Sequence, residues 1–416
     1  MSSNATFAGP GFSVGKTTSG IPEAMSIYIN QLVYDLRRRG NDVIALSLGE
    51  AFFDIPMFDF RKLDVDKSYH YSDSQGIPGL RRKIASYYKE HYGASIDPDK
   101  ELIITAGSKI GIFMSMRAVA EAGDEILIHE PAWVSYQEQA RLIGAVPRFI
   151  PYDAPVEKFA DYLTPRTRLV IINNPNNPAG RIYERGELEM LAKICAARGV
   201  YVMVDEAYSD FLVDRKFVSM ASVVPDKRGV IVVNSLSKNM GMSGWRVGYL
   251  VTHADLLPHL LKINQHLITC APSILLYYLE KYFEKIVDIT LPQVRQVVEK
   301  RERIRREMDR IGMHYLPGSS TFYFFVSIEN FPGTDMDLAL ALLVYHGIAV
   351  VPGGAYGAST QRFVRVSVGT ESDERIVEAL GIIRSMTCAN DFDRPGLYDS
   401  MARLGLKMPT VPARSG

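Results

Sequence analysis

Lys238 and Arg246 lie close together in Ile231–Leu250, and Ser235 and Ser237 immediately precede the lysine. A lysine amine can form a Schiff base with an aldehyde. Two hydroxyls and a guanidinium can hold a phosphate. Together they suit a ligand that is both an aldehyde and a phosphate. A second anion-binding signal is Ala106-Gly107-Ser108-Lys109, where a strand gives way to a helix whose first N–H groups are free. Two further strand ends carry Asn173-Asn174-Pro175-Asn176-Asn177-Pro178 and Asp205-Glu206-Ala207-Tyr208. Polar turns are common singly. Four in succession, each with a different chemical group, point to one site. Two other motifs fail. Ser235-x-x-Lys238 lacks the Ser-Asp-Asn and Lys-Thr-Gly partners of the lactamase set. Pro10–Thr17 imitates a P-loop, but proline replaces its first glycine.

The elements that must position these groups are read from periodicity. Leu102–Thr105, Glu125–His129, Leu169–Ile172, Tyr201–Val204 and Val230–Val233 are short apolar runs of strand type. Between them Ile110–Ala122, Ser135–Ile143 and Glu187–Arg198 have helical spacing. This alternation predicts an α/β fold with a mainly parallel sheet covered on both faces. Such a sheet binds its ligand at the carboxyl ends of the strands. Upstream, Glu23–Arg39 predicts a helix closed by Gly40, then a strand, Val43–Leu48, running into Gly49-Glu50. Downstream, a charged helix from Val294 to Met308 predicts a crossing into a smaller α+β unit with strands Phe322–Val326 and Phe363–Val368. The segment Ala389–Gly416 is expected to wrap the surface.

Ser235 to Gly248 resembles the signature Ser-x-Ser-Lys-x-x-x-x-x-Gly-x-Arg-x-Gly of the class I/II aminotransferases, the fold-type I enzymes of pyridoxal phosphate. The resemblance extends from about Ser19 to Ser385. It implies an aspartate aminotransferase-like fold, with an N-terminal arm (1–20), a small domain (21–60 plus 296–416) and a large cofactor-binding domain (61–295). It implies Lys238 as the catalytic Schiff-base lysine and Asp205 as the carboxylate that keeps the ring nitrogen protonated. Tyr208 and Asn177 match the pair that hydrogen-bonds the ring's 3-oxygen, and Trp133 the aromatic stacked on the ring. Ser108, Lys109, Ser235, Ser237 and Arg246 match the phosphate cradle. Tyr71, in Tyr69–Arg82, matches a tyrosine that reaches the phosphate of a neighbouring subunit, which implies a homodimer. Gly49 matches a backbone position beside the substrate, although Ala51-Phe52 replaces the family's Pro-Asp. Arg365, in Phe363–Ser367, matches the arginine that binds the substrate α-carboxylate together with Asn177.

The resemblance thus predicts transfer of an amino group from an L-amino acid to a 2-oxo acid such as 2-oxoglutarate. Phe52, Phe53 and the neutral residues around Ile21 lean towards an aromatic or apolar donor. Arg117 is expected to be a solvated helix arginine rather than a contact for a distal acid. Lyases, cyclopropane-forming synthases and oxidases share the scaffold and stand as the alternative. Lys plus Arg equals Asp plus Glu, 47 each, which argues against nucleic acid or anionic membrane as a partner. No apolar run reaches membrane-span length, and the start lacks signal-peptide character. Cys195, Cys270 and Cys388 show neither metal-ligand nor disulfide spacing. The expectation is a cytoplasmic enzyme without a metal.

Overall fold

β-Branched and aliphatic runs fold into strands wherever helices can cover both their faces. The computed structural model describes residues 13–212 and 215–407. Among these the strands are β1 (Ile44–Ala45), β2 (Leu102–Thr105), β3 (Glu125–His129), β4 (Val146–Ile150), β5 (Thr167–Asn173), β6 (Tyr201–Asp205), β7 (Val230–Ser235), β8 (Gly248–Thr252), β9 (Tyr323–Ser327), β10 (Ile348–Ala349), β11 (Val351–Pro352) and β12 (Phe363–Ser367). Seven form one sheet in the order β2-β8-β7-β6-β5-β3-β4. β3 to β7 are mutually parallel, while β8 runs antiparallel to both β7 and β2. β2 therefore points the same way as β5, β6 and β7, and their four carboxyl ends share one edge.

Alternate side chains feed two cores. Ile103, Ile126, Ile171, Met203 and Ile231 face one set of helices. Ile104, Leu127, Val170, Val202 and Val232 face the other. Each such buried side chain contributes about 1.5–3 kcal/mol relative to exposure, so the sheet is a rigid platform for its edge loops. β4 escapes the periodicity reading because it is an outer strand carrying Pro147 and Arg148, with only Ile150 fully buried. β8 escapes it because its short run follows the Gly244–Gly248 turn directly.

A second unit is built on the antiparallel sheet β11-β12-β9. Phe322, Phe324, Val326, Val364 and Val366 pack there against the helices Asp335–His346 and Asp373–Thr387. The expected crossing helix is longer than its charged stretch. It spans Ser273–Arg310 and passes through Pro292, which reads as a breaker in the sequence. Leu276, Leu279 and Ile286 join the large-sheet core, while Val294, Val298 and Ile304 join the second. The helix predicted at Glu23–Arg39 is Met25–Arg38, and the strand after it shortens to β1, which pairs with β10.

The expected surface wrap at the C-terminal end is partly a docked helix, Arg394–Arg403. It buries Leu397 and Met401 beside Leu32 and Leu340. Residues 408–416, and residues 10–12 of the P-loop-like stretch, lie outside the described residues. No described helix is long and apolar enough to cross a membrane, and no described cluster of His, Cys, Asp and Glu could hold a metal ion.

Candidate active site

Where β2, β5, β6 and β7 end, the chain leaves a cavity of about 630 Å³. At one end of it the helix Ser108–Val119 begins, with Gly107 at φ +90° turning the chain off β2. Arg246 has left-handed backbone, φ 57°, and its guanidinium folds back across that glycine. A Cβ on Gly107 would lie 2.5 Å from Arg246 Nη2. Ser235 caps the short helix carrying the lysine by accepting from Ser237 N at 3.1 Å. Burial, and then the Arg246 charge, lower the Lys109 amine. No carboxylate among the described residues pairs with either cation, so a bound dianion would relieve their repulsion. Gly248, the first residue of β8, abuts this corner, and a Cβ there would meet Ser108 N at 2.4 Å. Gly248→Ala is accordingly expected to destabilise the protein by about 1–3 kcal/mol, read as a lower Tm in thermal denaturation.

The middle of the cavity holds the buried acid and the amine. Asp205 ends β6, where burial raises its carboxyl above the usual range. Tyr136 Oη donates to Asp205 Oδ2 at 2.6 Å and Ala207 N to Oδ1 at 3.1 Å, which fixes the carboxylate. Lys238 Nζ donates to Gly49 O at 2.5 Å. Burial, helped by Arg365 and Arg246 and opposed by Glu50 and Asp205, pushes this amine down to about 8. Ser243 Oγ donates to Glu50 on the same wall. Trp133 also lines the cavity, edge-on to Tyr136 at 5.3 Å and with Lys109 Nζ 5.1 Å from its ring centre.

The far end belongs to the asparagine loop and the second unit. Asn173 Nδ2 donates to Asp205 O at 2.7 Å, and its Oδ1 accepts from Asn177 N. Asn174 and Asn176 bond Tyr183 N and Pro131 O. Three of the four amides are thus consumed in holding the loop, which leaves Asn177 for the cavity. Its Nδ2 donates to Tyr208 Oη at 3.5 Å and its Oδ1 accepts from Arg365 Nη1 at 3.4 Å. Arg365, on β12, also donates from Nη2 to Ser47 O at 2.6 Å, but its buried Nε has no partner among the described residues. Its guanidinium lies 4.5 Å from the Tyr323 ring centre.

Gly49, Ser108, Lys109, Trp133, Asn177, Asp205, Tyr208, Ser235, Ser237, Lys238, Arg246 and Arg365 therefore converge on one cavity. Tyr71 does not. It is 86% exposed on the outer surface of this single chain. Arg117 pairs with Glu121 at 3.0 Å on an exposed helix face, as a solvated arginine does. Phe52 is exposed, and Phe53 packs beneath Gly241. Neither phenylalanine lines the cavity, whose outer wall is formed instead by Ile27, Asn30, Tyr34 and Leu48. Periodicity missed Tyr136 and Tyr323 as site residues. Tyr136 follows Trp133 in the same short stretch, whereas Tyr323 sits in an aromatic run indistinguishable from core.

The aminotransferase class I and II family profile matches residues 56–383. The chain belongs to this family. A probable aspartate/prephenate aminotransferase of Aquifex aeolicus is 32% identical to the aminotransferase over 384 residues, 88% of this chain and 96% of that protein. An aromatic-amino-acid aminotransferase of Thermococcus litoralis is 28% identical, over 84% of this chain and 92% of its own. The solved structure of aspartate aminotransferase from Thermus thermophilus with maleate superposes with a TM-score of 0.82 at 26% identity. That match covers 90% of this chain and 99% of the other. The aminotransferase is a pyridoxal-phosphate-dependent enzyme acting on amino acids and 2-oxo acids. Its cavity fits that cofactor. Two cations and a helix N-terminus with no acid paired to them among the described residues suit a phosphate, and a buried carboxylate with no ion-pair partner among the described residues suits a protonated ring nitrogen.

Proposed function

We propose that the aminotransferase moves the amino group of an L-amino acid with an apolar or aromatic side chain to a 2-oxo acid such as 2-oxoglutarate, with Lys238 as the covalent attachment site and proton carrier. The observation that carries this reading is the shared cavity of Lys238, Asp205, Tyr208, Asn177 and Arg365. Pyridoxal phosphate, when bound, supplies an electron sink for the bond broken at the substrate Cα.

The chain's own groups do the rest. Ser108, Lys109, Ser235, Ser237 and Arg246 hold the phosphate. Asp205, fixed by Tyr136, holds the proton on the ring nitrogen. Trp133 bounds the ring face, and Tyr208 with Asn177 faces its 3-oxygen. Arg365 and Asn177 grip the α-carboxylate, a planar bidentate contact that fixes which Cα bond faces the ring. Lys238 Nζ then carries the proton away from Cα. The pocket's own desolvation brings that amine down to about 8, so a usable fraction of it is neutral near physiological pH, as a general base requires. Ile27, Tyr34 and Leu48 on the outer wall support an apolar side chain. The exposed Tyr71 suits a homodimer in which it reaches a neighbour's phosphate, with residues 21–60 and 296–416 forming a small domain beside 61–295.

Incubating the holoenzyme with an amino donor, with and without 2-oxoglutarate, tests the reaction. Keto acid beyond one equivalent per bound cofactor only with the acceptor present supports transfer, whereas ammonia released without it supports the lyase or oxidase alternative. Activity with aspartate alone, across a panel of donors, would refute the apolar preference. The lowered amine predicts a further result. Because only the neutral amine is nucleophilic, capture of pyridoxal phosphate by the apoprotein should accelerate about tenfold per pH unit below the amine's own value. Stopped-flow absorbance should show the rate levelling off above about 8.

A further inference from the structure

Tyr323 enters the cavity from β9, and no reading of the sequence assigned it a part. It is fully buried, and its hydroxyl shares a 2.9 Å hydrogen bond with that of Tyr208. The same hydroxyl lies 3.4 Å from where a Cβ on Gly49 would stand. One face of its ring carries the Arg365 guanidinium at 4.5 Å. A phenol has one proton to give and two lone pairs to accept with. If Tyr323 donates, Tyr208 accepts from both Tyr323 and Asn177 and keeps its own proton for the cavity. A hydroxyl that accepts such bonds donates more strongly in turn.

We propose that Tyr323 is a positioning residue that donates its hydroxyl proton to Tyr208, so that Tyr208 directs its own proton at the cofactor's 3-oxygen and thereby lowers the proton affinity of the nitrogen joining Lys238 to the cofactor. The inference rests on the reading of Lys238 and Tyr208 above. A strong bond to the 3-oxygen stabilises negative charge there and weakens that oxygen's hold on the neighbouring proton. The charged and titratable groups facing these residues come from several elements. Arg365, Glu50 and Tyr208 surround Tyr323. Tyr323, Arg365 and Asp205 surround Tyr208, and Glu50, Arg365, Arg246 and Asp205 surround Lys238.

The test is an absorbance titration of bound pyridoxal phosphate in the wild type, Tyr323→Phe, Tyr208→Phe and the double variant. Tyr323→Phe should raise the midpoint by about 0.5 pH unit, a threefold gain in proton affinity. The retained ring under Arg365 should keep KM for the amino donor within about twofold. In the Tyr208→Phe background the second change should move the midpoint no further. A purely structural role would lower Tm and leave the midpoint in place. An unmoved or lowered midpoint in Tyr323→Phe, or an equal shift without Tyr208, overturns the proposal. If Tyr323→Phe does not fold, 3-fluorotyrosine at position 323, a stronger donor, should lower the midpoint, and an unchanged midpoint overturns the proposal equally. A wild type with no pH-dependent band at all refutes the Lys238 reading, a separate outcome.

Discussion

Lys238→Ala is expected to lower turnover about 10,000-fold, the upper range for a positioned proton carrier that is also the covalent anchor. The reasoning starts from inventory. Among the cavity's cations, Lys109 and Arg246 sit at its anion-binding corner and Arg365 is held by Ser47 O and Asn177, so none can replace an amine in the middle. Among these cations Lys238 Nζ alone donates to Gly49 O, a backbone position proposed to lie beside the substrate. Steady-state kinetics measure the loss. Borohydride reduction followed by peptide mass mapping should find the trapped adduct at position 238 in the wild type and nowhere in the variant. Full turnover in the variant would end the proposal.

Asp205→Asn should lower kcat about 1,000-fold, since removing one member of a buried charge pair costs about 3–5 kcal/mol. The amide oxygen can accept from Ala207 N while the amide Nδ2 donates to Tyr136 Oη, so geometry survives while the countercharge for a ring nitrogen is lost. Stability should move the opposite way in the apoprotein. Burial raises the Asp205 carboxyl above its unfolded value, so ionised Asp205 opposes folding. That penalty builds up as pH climbs past the unfolded value and reaches its full size above the folded one. The neutral amide carries no such penalty, and apo Asp205→Asn should melt higher than apo wild type at neutral pH. A variant that loses turnover because it unfolds would melt lower, so calorimetry on the apoprotein separates the two causes.

Much of this site was legible because its groups sit at the ends of unmistakable strands. β2 and β3 match their predicted bounds to the residue, and β5, β6 and β7 extend theirs by one to three residues. Each is apolar on both faces, so composition alone marks it. β4 was hidden by its outer position, since a strand with one wet edge tolerates Pro147 and Arg148. The first half of the helix Ser273–Arg310 was hidden by Pro292, whose missing N–H the long surrounding helix absorbs. Within the site, Asn177 was legible only through resemblance; four asparagines in one loop look alike until three are seen bonded to the backbone of Asp205, Tyr183 and Pro131. Tyr323 was illegible because Phe322–Phe325 is a core sequence in every respect except one hydroxyl. Tyr71 lies almost wholly exposed on the single chain.

The 38-residue helix that passes through Pro292 has a thermodynamic corollary. Its two halves are structural members of different cores, so neither core can dissolve while the rod stays whole, and the rod cannot fray through its centre without exposing both. The two halves of the molecule are thereby bound to a common fate on heating. Scanning calorimetry of the protein should record one cooperative endotherm rather than two.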